Sequence, residues 1–135
     1  MKQELQDKLF KRFDHMFRER KIKGSCMSRQ MECGDGWFSL LWDLCTTIQR
    51  ELSKHPGLKQ EFAVLQVKSK LASLRFYTNG SDDKIQRLIE DATNLSGKTC
   101  EYCGEEGKAY NIKGWMETLC LLCLRKSKKK ELPIE

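Results

Sequence analysis

Two Cys-x-x-Cys pairs near the end of the chain restrict its fold more than any other feature. They read Cys100-Glu-Tyr-Cys103, then sixteen residues, then Cys120-Leu-Leu-Cys123. Two residues between cysteines let a tight knuckle aim both sulfurs at one point. A separation of roughly 15–20 residues between the two pairs is the spacing of four-cysteine zinc sites. Gly104 follows the first pair and suits a knuckle whose backbone N–H groups turn toward sulfur. The pattern predicts a structural Zn2+ held by Cys100, Cys103, Cys120 and Cys123 in a zinc-ribbon-like module. Four thiolates close the coordination shell, whereas catalytic zinc keeps a position open for water or substrate. The metal is therefore expected to supply folding free energy to a segment too small to build a core.

The other three of the seven cysteines are Cys26, Cys33 and Cys45. An odd count without a signal-like leader argues against a secreted disulfide scaffold. Two readings stay open for these three: buried structural thiols, or ligands to a second metal. The segment MKQELQDKLFKRF is charged throughout and has no apolar stretch of signal-peptide type. No run approaches the ~18 apolar residues of a membrane span. These features predict no membrane association and a cytoplasmic location. Only two histidines occur, His15 and His55, and neither shares a motif with a nucleophile. The knuckle occurs also in HNH-type nucleases, but the histidines those enzymes need are missing. No convincing catalytic constellation emerges, and the chain is expected not to be an enzyme.

The remainder predicts an α+β chain with about three helices and a small β-hairpin. Leu5, Leu9, Phe13, Met16 and Phe17 recur at helical spacing over 2–20, and Gly24-Ser25 breaks that pattern. Gly34-Asp35-Gly36 reads as a tight turn using glycine's access to positive φ. A helix is expected over about 37–53, with Asp35 near its start as a cap and His55-Pro56-Gly57 as its stop. Strand patterns at 62–67 and 74–77 flank a turn at 69–72, and Asn79-Gly80 marks another turn. A third helix is predicted over 82–96, capped by Ser81, with Ile85, Leu88, Ile89, Ala92 and Leu95 on its apolar stripe. A short hairpin is expected within 108–113. The organisation read from this is a helical and β-hairpin core over 1–99, the cysteine module over 100–125 packed on it, and a weakly ordered basic tail over 126–135.

Charge adds a candidate surface. The net charge is +6, and residues 1–30 hold nine Lys/Arg against four Asp/Glu. Lys68, Lys70, Arg75, Phe76, Tyr77 and Lys113 interleave cations with aromatics. That is the composition of a nucleic-acid or partner contact, although the same aromatics serve equally well as core. The run from Arg125 to Lys130 adds Lys128, Lys129 and Lys130 to the candidates. Basic ends dock on nucleic acid or on acidic protein faces, and they also serve simply as solvated surface.

Three blocks in order carry a resemblance. They are Cys33-Gly-Asp-Gly-Trp37 before a helix containing Cys45, then Leu65-Gln-Val-Lys68 leading to Leu74-Arg-Phe-Tyr77, then Cys100-x-x-Cys103-Gly104 leading to Trp115 and Cys120. Over about residues 26–123 the chain resembles small uncharacterised proteins of tailed bacteriophages and bacterial genomes. Those proteins often carry a glycine-rich link where this chain has 69–73, and often a histidine near the last cysteine. Cys123 keeps the present site all-cysteine. The resemblance implies a phage-type accessory protein acting in a bacterial host cytoplasm, with a host protein as the expected partner and binding, modulation or inhibition as its action. The alternative is a nucleic-acid-binding zinc-ribbon protein.

Overall fold

Helix α2 (Phe38–Ser53) is the central element, because its apolar residues occupy one broad face: Leu41, Leu44, Cys45, Ile48 and Leu52 are all buried. The computed structural model describes residues 1–131, with the side chains of 29 and 128–131 outside that description. Around α2 pack α1 (Gln3–Arg12), α3 (Pro56–Glu61) and α4 (Asp83–Ser96). The antiparallel hairpin of β1 (Ala63–Lys70) and β2 (Ser73–Asn79) also closes on this core. A second antiparallel hairpin, β3 (Lys108–Ile112) and β4 (Trp115–Leu119), leads into α5 (Leu121–Glu131). The α+β class holds. Among the described residues there are five α-helices and two hairpins, where about three helices, a small hairpin and a short hairpin within 108–113 were expected.

The differences have local causes. The apolar stripe of 2–20 does not form one helix: α1 ends at Arg12 and a 3-10 turn follows at Arg18–Lys21. Phe13, Met16 and Phe17 are still buried, but through a bend that brings Phe13 edge-on to Trp42 at 5.3 Å. Pro56 stops α2 and also opens α3, where its missing N–H costs nothing. Arg18 then caps α3, donating to the carbonyls of Phe62 and Gln60 at 2.6 and 2.9 Å. Those are C-terminal acceptors that a helix cannot satisfy itself. The N-cap of α4 is Asp82, whose carboxylate accepts from Ile85 N–H at 2.9 Å, one residue beyond the expected Ser81. Ile85, Ile89, Ala92 and Ser96 are the buried residues of α4; Leu88 is half-buried, and Leu95 is 53% exposed and so off the stripe. Residues 126–131, expected as loose tail, continue α5.

Inside β1–β2, alternation sorts the residues by face. Val67 pairs with Phe76 and Ser69 with Leu74 on the inner side, where Val67, Phe76 and Leu74 are buried. The turn is tighter than expected. It consists of Leu71 and Ala72, both at positive φ (53° and 61°) without a glycine between them. Two left-handed central residues match the twist of a two-residue hairpin, at some cost for a residue with a Cβ.

Candidate metal centre

The first knuckle is built at 100–104. Gly104 N–H donates to the Cys100 carbonyl at 3.0 Å, and Gly104 adopts φ +82°, which its lack of a Cβ permits. Cys100 N–H donates to the Glu105 carbonyl at 2.7 Å, fixing the return of the loop. The second knuckle sits where β4 passes into α5. There Cys123 N–H reaches the Cys120 sulfur at 3.4 Å. The β3–β4 hairpin supplies the connection, and its register brings the two knuckles together.

All four sulfurs lie within 4.8 Å of one another, and Cys103 Sγ stands 3.6 Å from Cys120 Sγ. A tetrahedron with metal–sulfur bonds of about 2.3 Å has edges of about 3.8 Å, so this spacing suits a single tetrahedral ion. The donor set also fits, since four thiols are what a thiophilic ion takes. Cys100 is fully buried, while Cys103 is exposed. The Cys123 N–H brings the Cys120 thiol down to about 7, while burial and the neighbouring thiols push the Cys123 thiol up, so it is the geometry and the donor set that suit the tetrad to a metal. The thiolate is the metal-binding form. The tetrad can therefore hold a metal ion. A small cluster of its own packs beside it: Leu119 and Leu124 buried, with Tyr110 and Ile112 against them.

The seat of this module is the Gly34-Asp35-Gly36 block. Gly36 N–H donates to the Glu101 carbonyl at 2.8 Å, and Gly34 N–H donates to the Glu101 carboxylate at 3.1 Å. A Cβ on Gly36 would lie 2.2 Å from the Cys100 carbonyl oxygen, and one on Gly34 would lie 2.3 Å from that of Glu101. Neither glycine has positive φ. The expected reason for this triplet, a left-handed turn, is therefore corrected: the glycines let one backbone lie directly against another. Asp35 does not cap α2 either, because a 3-10 turn (Asp35–Trp37) intervenes and its carboxylate accepts from Lys2 N–H at 2.7 Å. Trp37, fully buried, donates its indole N–H to the Thr99 carbonyl at 2.9 Å. Thr118 donates to the Ala72 carbonyl at 2.6 Å, tying β4 to the strained β1–β2 turn.

Glu101 is the site residue that spacing could not reveal. It lies between the cysteines of the first knuckle, yet its side chain turns inward and accepts from Ser69 Oγ at 2.7 Å. Burial raises its carboxyl above the ordinary range, against the pull of the Ser69 and Gly34 hydrogen bonds. The sequence signal was only that a charged residue followed a predicted metal-ligand cysteine.

Cys26, Cys33 and Cys45 are not brought together with the tetrad or with one another in any metal-compatible group among the described residues. Cys45 lies in the core and Cys33 beside the glycine seat; burial pushes the Cys33 thiol up to about 12. Cys26 is exposed. A second grouping that the sequence did not suggest is Glu51, His55 and Asp82. Its chemistry is already occupied: Glu51 holds Lys84 at 3.0 Å and Lys54 at 3.6 Å, and Asp82 caps α4.

Of the candidate contact residues, Lys68, Lys70, Arg75 and Tyr77 fall on the outer face of β1–β2. Phe76 faces the core instead, and Lys113 sits in the β3–β4 turn at φ 51°. The side chains of Lys128, Lys129 and Lys130 lie outside the described residues. Among the described residues, no helix is long and apolar enough to cross a membrane. Comparison with protein-family models, curated proteins and solved structures returned no match.

Proposed function

We propose that the tetrad binds one structural Zn2+ in a zinc-ribbon-like module, and that this module presents a surface for a partner protein. In this reading the chain is a phage-type accessory protein that binds a host protein in the bacterial cytoplasm and modulates or inhibits it. Closed coordination argues for binding rather than catalysis, because no position on the metal is left for a reacting group.

One observation carries the proposal. Tyr102, Trp115, Met116, Leu121 and Leu122 all lie in the cysteine module and are exposed, Trp115 by 68%. They are more than half of the large exposed apolar residues in the described chain. Trp, Tyr and Met are the residue types enriched in protein interfaces, and Trp and Tyr are frequent hot spots. Tyr102 Oη and Trp115 Nε1 both donate to Glu117 Oε1, at 2.7 and 3.0 Å. One carboxylate oxygen thus fixes two exposed aromatic rings, reducing the side-chain entropy lost on docking.

The test is affinity capture from bacterial lysate with the zinc-loaded protein, followed by binding of the purified candidate. The expected result is a discrete host protein that binds directly and is lost with Trp115→Ala and Leu122→Ala, at unchanged zinc content. Capture that is indifferent to both substitutions would refute the assignment of this surface.

A further inference from the structure

The outer face of the β1–β2 hairpin carries an arrangement that stability alone does not explain. The register sets Lys68 directly opposite Arg75, Lys70 opposite Ser73, and Gln66 opposite Tyr77. Directly opposed residues of an antiparallel pair share a face, and like charges placed so are destabilising. Of the other cations, Lys2, Arg20, Lys21, Lys54 and Lys84 each pair with an acid. Here, Lys68, Lys70 and Arg75 make no ion pair within the described residues. The acid next to them along the edge, Glu32, meets β1 through backbone hydrogen bonds to Val67 and Ser69 alone. Arg75 Nε is also the one buried side-chain nitrogen or oxygen among the described residues that lacks a hydrogen-bond partner.

We infer that this face binds single-stranded nucleic acid, with Lys68, Lys70 and Arg75 on phosphates and Tyr77 stacking against a base. An external polyanion removes the like-charge penalty, and the planar fork of a guanidinium suits phosphate. Lys68 and Lys70 are two residues apart on one strand, about 6.6 Å, so the cations form a row rather than a point. The aromatic separates nucleic acid from an acidic protein as the ligand. Tyr77 is 45% exposed on the same face, one cross-strand pair from Lys68 and Arg75. A cationic track with an exposed ring is the arrangement that binds single strands without sequence preference. The inference uses none of the residues assigned above to the partner protein, so either can fail without the other.

The experiment is fluorescence anisotropy of labelled oligonucleotides, oligo-dT and oligo-U of about 20 nucleotides, titrated with zinc-loaded protein between about 50 and 200 mM salt. Wild type should bind with a steep salt dependence. Replacing Lys68, Lys70 and Arg75 together by Gln should weaken binding and lower the logarithmic salt slope by about 2, at roughly 0.7 per phosphate contact on a single strand. Tyr77→Ala should weaken it about 5- to 100-fold, and Tyr77→Phe should retain it. The triple Gln variant should melt no lower than wild type, because it removes a repulsion; this distinguishes a lost site from a lost fold. No salt-dependent binding by wild type, or wild-type binding by the triple variant, would overturn the inference. Equal binding of polyglutamate, indifferent to Tyr77→Ala, would overturn it in favour of an acidic protein.

Discussion

Substitution of Gly36 by Ala probes how the cysteine module is joined to the helical core. The new Cβ would meet the Cys100 carbonyl oxygen at 2.2 Å, Gly104 N at 2.6 Å and the Glu101 carbonyl carbon at 2.7 Å. All three are backbone atoms, so no side chain can rotate out of the way and the knuckle has to lift. Overpacking into an ordinary core costs about 1–3 kcal/mol. Lifting the knuckle also removes the 2.8 Å bond from Gly36 N–H to Glu101, worth about 1 kcal/mol. The expected loss is therefore about 2–4 kcal/mol. Gly57→Ala is the matched control: nothing lies within 4 Å of its Cβ, and it sits inside α3, where Ala is favoured over Gly by about 1 kcal/mol. Urea unfolding of zinc-loaded protein by circular dichroism measures both, with hydrogen exchange of the Trp37 indole N–H reporting the junction with Thr99. A Gly36→Ala protein within about 1 kcal/mol of wild type, with Trp37 still protected, would refute backbone-on-backbone docking.

Other substitutions test the remaining elements. Ile89→Ala should cost about 2–5 kcal/mol in the same urea assay, whereas Leu95→Ala, more than half exposed, should cost under about 1 kcal/mol. Leu71 is 62% exposed at φ 53°, so Leu71→Gly should leave stability unchanged or raise it by up to about 1 kcal/mol; a clear loss would show that its side chain packs. Lys84 at 3.0 Å, with Lys54 and His55, holds the Glu51 carboxyl below its ordinary value of 4.5. A lowered carboxylate pKa stabilises the fold above the unfolded value, and the contribution fades as pH falls through the folded value. Wild type should therefore exceed Glu51→Gln in melting temperature at neutral pH, and the gap should narrow below about pH 4.5.

Much of this molecule was legible in its sequence because local chemistry decides it. The periodicity of Leu41, Leu44, Ile48 and Leu52 set α2, and the alternation of Val67, Leu74 and Phe76 set the first hairpin. The four-cysteine spacing marked the residues that converge. What escaped depends on contacts between distant segments. Nothing near Gly34 or Gly36 in the chain shows that a knuckle over sixty residues away will lie against them. Glu101 looked like a surface acid until Ser69 and the glycine seat surrounded it. The stripe of 2–20 has helical spacing whether or not the chain bends after Arg12, because Phe13 and Phe17 are buried either way. Arg18 looked like one of many solvated cations, but it satisfies the end of α3. Lys68 and Arg75 were visible as basic residues, yet only the register sets them opposite each other.

The central claim is a closed, structural four-cysteine zinc centre, and metal content tests it most directly. Protein purified without chelator or acid should contain about one zinc per chain, with X-ray absorption showing four sulfur neighbours at about 2.3 Å. Cys103→Ser should lose that zinc and unfold the module. Metal-free wild type that keeps its fold would contradict the account, as would a zinc with fewer than four sulfur ligands and an oxygen in the open position.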